Sequence, residues 1–393
     1  MTVDRFENIL GIPKLDVVRR RVFLRTDLNT PMSPYGAVLD DTALRLALPT
    51  IRELRYQECK VVLASTFGSP QTPLEPFRLN AIATRLSELL GVVVTVCEPR
   101  FRATLCQMKD GDVTLFPNLL DFPEDQANDQ EFARNVAQSV DVYINDSLRI
   151  CDQESATLDA LPRMLPCKGA GVALDRELRL LSEAREGIEP PYTLIVGGDQ
   201  LTDKLPLIRA LLPAVHKILL GGVPAATLLA QLGWGINPLD IDTNAIGFAR
   251  ELLEISASRD LLTLQKDFVV QRAYANEVKV VDVAGVTPND RILDIGPDTR
   301  LDFRECIVRS RGTLWVGTMG QCTDSDTTEG TRAVGIYLLE NTQFVAVADA
   351  PLVRAVDYLG LADKYKLVSQ GDSASLALLS GARLPGIESL RYS

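Results

Sequence analysis

Histidine is almost absent from this sequence, since His216 is the only one among 393 residues. The 7 cysteines are odd in number and contain no Cys-x-x-Cys pair. Zinc centres and disulfide frameworks depend on such residues at characteristic spacings, so the composition favours neither. Unpaired cysteines are typical of a reducing compartment. We therefore expect a cytoplasmic protein without a structural metal.

Long apolar runs are also missing, and none approaches the roughly 20 residues that a membrane-spanning helix needs. Nothing near the start of the chain resembles a signal peptide, so we expect a soluble protein with no membrane association. Basic residues are in the minority, with 41 Lys and Arg against 52 Asp and Glu and a formal charge of −11. This balance disfavours nucleic acid and anionic membranes as partners. A phosphate ligand would therefore need a local basic patch.

A regular alternation of segments fills the chain. Short apolar runs such as RVFLRTDL, KVVLASTF and DVYINDS alternate with longer segments of helical period such as LNAIATRLSELLG. The second half continues with YTLIVGGD, HKILLGG, EVKVVDV, RILDIGP, TLWVGTMG and QFVAVADA. This alternation predicts an α/β fold with doubly wound parallel sheets. Because single cores stop growing at about 250 to 300 residues, we predict two domains, with their junction near Pro190 and Pro191.

Several segments, in order, carry a family resemblance. They are RVFLRTDLNTPM, DDTALRLALPTI, KVVLASTFGSP, GDVTLFPNLLDFPEDQANDQEFA, DVYINDSLRI, VGGDQLTDKLPLI, LWVGTMG, LGLADK and LPGI. Together they resemble phosphoglycerate kinase from end to end. The resemblance implies two Rossmann-like three-layer domains with parallel sheets, joined by a hinge helix. We assign an acid-substrate-type domain to 1–173, the connecting helix and hinge to 174–191, a nucleotide-type domain to 192–375, and a segment returning to the first domain to 376–393.

The resemblance also implies a phosphate-binding patch on the first domain. Asp27 and Asn29 match the family's Asp and Asn at the acid substrate. The arginine expected at the start of the next helix is Ala43, and Arg45 lies about 200° further around that helix, pointing away. Other expected arginines and histidines are replaced, at Thr66, Ser69, Leu120, Asp152, Gln153 and Ser155.

The second domain shows similar replacements at the family's nucleotide positions. The turn at Gly198 and the second lysine, Lys204, are retained, but the first lysine is Gln200. The family's asparagine, proline and ribose-binding glutamate are replaced by Val316, Thr318 and Thr323. The acid of the glycine-rich turn is Pro351, and Asp349 could replace it only if the loop shifts. The last glycine cluster reads Gly371, Asp372, Ser373.

The retained residues have structural explanations beside functional ones. Asx residues at a strand end also hydrogen-bond their own backbone, which we favour for Asp27 and Asn29 because their partner arginines are missing. Lys204 is equally consistent with phosphate binding at a helix start and with an ordinary solvated lysine. Arg149 lies near the lost patch, although a single arginine is more often a solvated surface residue. His216 fits a helix-end or core position better than a catalytic one.

Phosphoryl transfer depends on cations that stabilise the charge of the transferring group, and losing one such donor costs about 2.7 to 4 kcal/mol. Our first hypothesis is therefore a catalytically silent or strongly impaired member of the family. It would act as a monomeric binding or regulatory protein without a cofactor. Its partner would be another protein or a small ligand in the interdomain cleft.

The alternative is an active phosphoglycerate kinase with an atypical anion site. It would use Mg-ATP or Mg-ADP and would need Arg25, Arg149, Lys168 or Lys204 to rebuild the lost patch. A third possibility, a kinase for a different acid, would require an intact nucleotide half, which the sequence lacks.

Overall fold

A computed structural model describes residues 6, 8–69, 72–73, 76–97, 101–272, 277–341 and 343–392. The chain forms two compact units. The N-terminal unit comprises the described residues up to 179 together with those from 383, and the C-terminal unit comprises those of 180–382. The first division falls inside the helix Val172–Ser182. The domain boundaries predicted at 173, 191 and 375 stay predictions.

The N-terminal unit is built on a parallel sheet. Its strands are β1 (Arg21–Arg25), β2 (Lys60–Ala64), β3 (Gly68–Ser69), β4 (Thr72–Pro73), β5 (Val94–Val96), β6 (Val113–Leu115), β7 (Val142–Asn145) and β8 (Cys167–Ala170). Six of them pair in the order β5-β6-β2-β1-β7-β8, all parallel, while β3 and β4 form a separate two-stranded hairpin. The central strands are apolar and buried along most of their length, as expected when helices cover both faces of a sheet.

The helices of this unit carry their apolar side chains toward that sheet. They are α1 (Thr42–Tyr56), α2 (Pro76–Leu90), α3 (Phe101–Gln107), α4 (Pro123–Gln126), α5 (Gln130–Ala137), α6 (Leu161–Met164) and α7 (Val172–Ser182). Leu44, Ile51 and Leu54 of α1 are fully buried in one core with Leu24 and Leu63 of the strands. Spacings of seven and three residues place these side chains on one helix face.

The C-terminal unit contains a second parallel sheet. Its strands are β9 (Tyr192–Val196), β10 (Lys217–Leu220), β11 (Leu262–Thr263), β12 (Asp267–Arg272), β13 (Val278–Asp282), β14 (Asp290–Ile295), β15 (Gly312–Val316), β16 (Phe344–Ala348) and β17 (Leu367–Val368). Six strands pair in the order β11-β10-β9-β15-β16-β17, all parallel. Trp315 and Phe303 are fully buried in the largest apolar cluster described in this unit. The doubly wound α/β fold predicted from the sequence is confirmed.

One part of the strand prediction was wrong. The segments EVKVVDV and RILDIGP do not extend the parallel sheet but form, with β12, an antiparallel sheet in the order β13-β12-β14. The reason lies in β13, where exposed and half-buried residues alternate because only one face meets the core. Such alternation is typical of antiparallel strands with one solvated face.

The helices of the C-terminal unit are α8 (Leu205–Leu211), α9 (Gly222–Gln231), α10 (Ile246–Arg259), α11 (Pro297–Val308), α12 (Ser325–Asn341), α13 (Ala350–Tyr358) and α14 (Ser373–Ser380). The last helix, α15 (Pro385–Glu388), belongs to the N-terminal unit. There the Ser389 hydroxyl donates to the carbonyl of Leu158 at 2.7 Å, and the Tyr392 hydroxyl donates to that of Lys168 at 2.8 Å. No helix within the described ranges combines the length and apolarity needed to cross a bilayer.

Candidate functional site

The sheet of the N-terminal unit collects most of the predicted acid-substrate positions at one edge. Strands β6, β2, β1 and β7 are neighbours and parallel, so their carboxyl ends meet at the same edge. We call this edge, with the start of α1, the first site edge. The positions that follow these strand ends or begin α1 are Leu120, Thr66, Ser69, Asp27, Asn29, Gln153 and Ala43. Ser69 lies in β3, but its side chain lies outside the described part of the structure.

Asp27 and Asn29 both make hydrogen bonds within the protein. The Asp27 carboxylate accepts the backbone N–H of Asn29 at 3.0 Å, which closes an Asx turn. The Asn29 side-chain oxygen accepts the backbone N–H of Gly68 at 3.1 Å and so connects the loops after β1 and β2. Both side chains therefore shape the edge, whatever else they bind.

Sequence reasoning overlooked Asn118 at the same edge. Its side chain is fully buried and bonds the backbone of Phe67 in both directions, accepting from its N–H at 2.9 Å and donating to its carbonyl at 3.0 Å. It also accepts the N–H of Leu120 at 3.2 Å. One buried amide thus holds Leu120 and Phe67, the residue that follows Thr66. The signal in the sequence was an asparagine directly after an apolar strand.

The basic residues around this edge are committed to other contacts. Arg45 forms an ion pair with Asp41 at 2.7 Å, as its helical position predicts. Arg25 is only 1% exposed and donates to the carbonyls of Thr26 at 3.1 Å and Ala64 at 3.4 Å, so it cannot present its charge to a ligand at the surface. Burial lowers the pKa of the Arg25 guanidinium. Lys168 lies early in β8, with its ammonium 6.0 Å from the centre of the Tyr392 ring.

Arg149 is the basic residue whose position fits the edge best. Its Nε lies 3.8 Å from Oδ2 of Asp27, and its side chain is 54% exposed. Ala43, the second residue of α1, is half-buried and uncharged, while Gln153 is exposed. An anion at this edge would therefore meet one exposed guanidinium that already faces a carboxylate.

The second parallel sheet presents the predicted nucleotide positions in the same way. Strands β9, β15, β16 and β17 are neighbours, and their carboxyl ends lead to Gly198 and Gln200, to Gly317 and Thr318, to Asp349 and Pro351, and to Asp372. We call this the second site edge. Glycine is required at position 317 because the backbone segments that follow β9 and β15 approach each other closely. A Cβ built on Gly317, which has φ +83°, would lie 2.2 Å from the carbonyl oxygen of Gly197.

A cavity of about 190 Å³ opens beside this edge. Its walls include Gly198, Gly222, Leu239 and Gln321. Arg291 also lines the cavity, and its Nε bonds the carboxylate of Asp240 at 3.0 Å. Asp199 lines the cavity as well, so the walls combine backbone, apolar and polar surface with a further carboxylate and an already paired arginine.

Lys204 is not the solvated lysine that one interpretation predicted, because the residue is only 5% exposed. Its Nζ donates to the carbonyl of Gln200 at 3.2 Å and lies 3.4 Å from the position of a Cβ built on Gly198. The Gln200 side chain itself is exposed. The second site edge therefore keeps one buried cation and lacks the charge that a lysine at position 200 would supply.

The remaining predicted positions carry no charge toward this edge. Val316 is fully buried, and the Thr318 hydroxyl donates to the carbonyl of Gly320 at 2.7 Å. Thr323 is exposed and its backbone N–H donates to Oγ1 of Thr327 at 2.9 Å. His216 is exposed rather than in the core, and its Nδ1 accepts the N–H of Tyr192 at 3.3 Å.

Two carboxylates stand at the turns that match the family's glycine-rich segments. Asp349 and Asp372 are the N-cap residues of α13 and α14. The Asp372 carboxylate accepts the N–H of Ala350, the first residue of α13, at 3.2 Å. Burial raises the pKa of the Asp349 carboxyl, and the positive charge of Lys204 opposes that rise. An anion at the start of α13 would therefore compete with the chain's own Asp372 carboxylate for the N–H of Ala350.

Within the described residues, no three carboxylate, histidine or cysteine side chains lie close enough together to hold a metal ion.

Curated relatives match this chain over nearly its whole length. A phosphoglycerate kinase of Coprothermobacter proteolyticus is 33% identical over 386 residues, covering 97% of this chain and 98% of that protein. A phosphoglycerate kinase from a Roseiflexus species is 34% identical over 390 residues, covering 96% and 98%.

Solved structures agree with these matches. The phosphoglycerate kinase of Coxiella burnetii is similar with a TM-score of 0.89 and 27% identity, covering 97% of this chain and 98% of that one. The enzyme of Pyrococcus horikoshii shares the fold, with a TM-score of 0.84 at 24% identity over 97% and 98% of the two chains. The sequence profile of the family described as phosphoglycerate kinase matches residues 12–382. The chain therefore belongs to the phosphoglycerate kinase family.

Proposed function

We propose that this protein has kept the phosphoglycerate kinase fold and lost its phosphoryl-transfer chemistry, and that it acts by binding. The observation that carries the proposal is the charge of the two site edges. At the first, Ala43 and Gln153 replace cations and Arg149 already faces Asp27. At the second, Gln200 replaces a lysine beside the buried Lys204.

The physical argument concerns the transferring phosphoryl group. Its charge must be stabilised by preorganised cations, because the reaction offers a protein little covalent work. Removing a single electrostatic donor costs about 2.7 to 4 kcal/mol of transition-state stabilisation. Several such losses reduce turnover by many orders of magnitude even when their effects are far from additive.

A second candidate is phosphoglycerate kinase activity itself. The observation that favours it is the name of the relatives, which are phosphoglycerate kinases at 32 to 34% identity over nearly the full length. Those names favour the enzyme, whereas the residues at the two edges favour the silent protein. In the active case, Lys204 and Arg149 would supply the positive charge, and a magnesium nucleotide would be the phosphoryl donor.

A coupled turnover assay with Mg-ATP and 3-phosphoglycerate, at high protein concentration, separates the two candidates. We expect no turnover above the rate without protein. A trace of host enzyme would imitate activity, so a Lys204→Met variant is assayed in parallel. Turnover that this variant abolishes would belong to the chain and would overturn the proposal. Turnover equal in both proteins would come from the contaminant and would leave the chain silent.

We also propose, on composition alone, a cytoplasmic monomer whose partner is another protein or a small molecule. The formal charge of −11 argues against nucleic acid as that partner. Sedimentation of the purified protein tests the monomer, since a dimer would sediment as a species of twice the mass.

A further inference from the structure

Two aspartates at the second site edge adopt a backbone conformation that favours glycine. Asp349 has φ +93° and Asp372 has φ +51°. Residues other than glycine rarely adopt a positive φ, because their Cβ crowds the neighbouring carbonyl. The family's glycine-rich turns lie at both positions, as VADAPL and as Gly371, Asp372, Ser373 in this chain. A carboxylate has thus been placed twice where the backbone itself favours none.

Both carboxylates are directed by the sheet to the start of one helix. Asp349 follows β16 and Asp372 follows β17, and these strands are parallel neighbours. The Asp372 carboxylate accepts the N–H of Ala350 at 3.2 Å. The first N–H groups of a helix lack partners within the helix, and anions bind there for that reason. In this protein one of the N–H groups at the start of α13 is satisfied by the chain's own anion.

The buried lysine completes the same local arrangement. The Lys204 residue is 5% exposed, and its Nζ lies beside Gly198 and the carbonyl of Gln200. It exerts its charge on the half-buried Asp349. Asp372, Asp199 and the cation Arg354 also act on Asp349. A phosphate arriving at this edge would therefore meet three carboxylates together with Lys204 and Arg354.

We propose that Asp372, which occupies the anion position at the start of α13, and the neighbouring charge of Asp349 together determine ligand specificity, so that the nearby cavity accepts only ligands without a phosphate group. This inference rests on the proposed function and extends it to the class of ligand. The cavity is lined by Asp199 as well as by glycine backbone and Leu239, and its arginine, Arg291, is already paired with Asp240, so its walls suit a ligand without negative charge.

The test compares the full-length protein with variants in which glycine restores the favoured backbone. In Asp349→Gly, Asp372→Gly and the double variant, affinity for pyrophosphate and for ADP, measured by calorimetry, rises about tenfold for each carboxylate removed, which is the scale of a close charge interaction near a protein surface. Glycine suits positive φ, so the thermal midpoint of each folded variant reports whether the turn survives.

Two further variants separate the cause. Asp260→Gly is a matched control, because Asp260 also has a positive φ of 48° and loses one charge, but it lies at the end of α10. We expect it to leave anion affinity unchanged. Asp372→Asn removes the charge while its amide oxygen can still accept from Ala350, so it should raise anion affinity less than Asp372→Gly.

The outcomes keep this inference apart from the proposed function. If the unaltered protein binds ADP as tightly as the double variant, the carboxylates exclude nothing and the inference fails, even without turnover. If the folded double variant gains no more affinity than Asp260→Gly, the inference fails again while the silent protein stands. Turnover by the unaltered protein that Lys204→Met abolishes would instead overturn the proposed function.

Discussion

The two site edges have the same architecture, yet they differ in the charged groups that they present. At the first edge a neutral residue, Ala43, stands at the start of α1, and the nearby Arg149 faces the retained Asp27. At the second edge the glycine turns around Gly198 and Gly317 persist, and new carboxylates at Asp349 and Asp372 stand at the helix starts. The difference indicates that close backbone packing constrains this fold more strongly than side-chain chemistry does.

The largest expected effect tests that backbone constraint at the second edge. In Gly317→Ala the new Cβ would lie 2.2 Å from the carbonyl oxygen of Gly197, at φ +83°. Backbone strain and overpacking together should lower the free energy of unfolding by about 2 to 4 kcal/mol. Urea unfolding followed by tryptophan fluorescence, to which Trp234 and Trp315 both contribute, measures the change.

Gly360→Ala is the matched control. Gly360 also has a positive φ, of 67°, but a Cβ there would have no neighbour within 4 Å. Only the backbone strain of about 1 kcal/mol should remain. Equal losses in the two variants would show that the close approach at Gly317 carries no cost of its own.

The next effect is a dependence of stability on pH, which can be compared between the two units. Between pH 5 and pH 8 one buried carboxyl in each unit should change the free energy of unfolding by about 2 to 3 kcal/mol. Burial raises the pKa of Asp146 in the N-terminal unit and of Asp294 in the C-terminal unit from 3.8 to about 7. In this range the folded protein binds protons that the unfolded chain has released. The free energy of unfolding should therefore fall as pH rises toward 7 and level off above it.

The variants Asp146→Asn and Asp294→Asn remove one titrating group each. The amide oxygen of Asp146→Asn can still accept the N–H of Ala173. In Asp294→Asn the amide oxygen keeps only one of the two bonds that the carboxylate accepts, from Ile295 and from Gly330, so this variant is also less stable at every pH. We expect each variant to flatten the pH dependence by the share of its own carboxylate, measured by urea unfolding at a series of pH values. An unchanged slope in either variant would remove that carboxyl from the explanation.

A smaller effect concerns the missing arginine at the first edge. Ala43→Arg places a cation at the second residue of α1, where it should raise affinity for 3-phosphoglycerate about tenfold, or about 1.4 kcal/mol. Such weak binding can be measured from chemical-shift changes in two-dimensional NMR spectra during titration with 3-phosphoglycerate. Tyr56→Arg adds the same charge at the exposed far end of α1. If both variants gained the same affinity for 3-phosphoglycerate, the gain would come from the added net charge and not from the position of the arginine.

The smallest effect concerns Arg149. Its 3.8 Å contact with Asp27 is an exposed ion pair, and such pairs contribute about 0 to 1 kcal/mol. Arg149→Ala should therefore change the free energy of unfolding, measured by urea unfolding, by less than about 1 kcal/mol. A larger loss would give Arg149 a structural role and weaken its use as a substitute cation in the active candidate.

Much of this structure followed from local patterns. The alternation of apolar runs and helical periods predicted both parallel sheets, and helix geometry predicted that Arg45 turns away from the edge. The partners of β13 could not be predicted, because an apolar run does not reveal which strand it will pair with. The burial of Arg25 and Lys204 was equally hidden, since burial depends on segments that are distant in sequence.

The candidate site was less predictable than the fold. The resemblance marked Ala43 and Gln200 as substituted positions, but it gave no sign that Asp372 would bond the N–H of Ala350. That contact joins the ends of two strands and depends on a positive φ, which sequence reports dependably only for glycine. The predicted substitutions stay predictions, and the contact between Asp372 and Ala350 is what the structure adds to them.

The return of residues 383–392 to the N-terminal unit has a consequence for synthesis on the ribosome. Strands β1 to β8 leave the exit tunnel first, and domains generally begin to fold in that order. The segment that supplies Ser389 and Tyr392 is translated only after the entire C-terminal unit. The first unit to emerge is therefore the last to be completed. Until residues 383–392 are synthesised, the carbonyls of Leu158 and Lys168 lack the hydrogen bonds that Ser389 and Tyr392 donate.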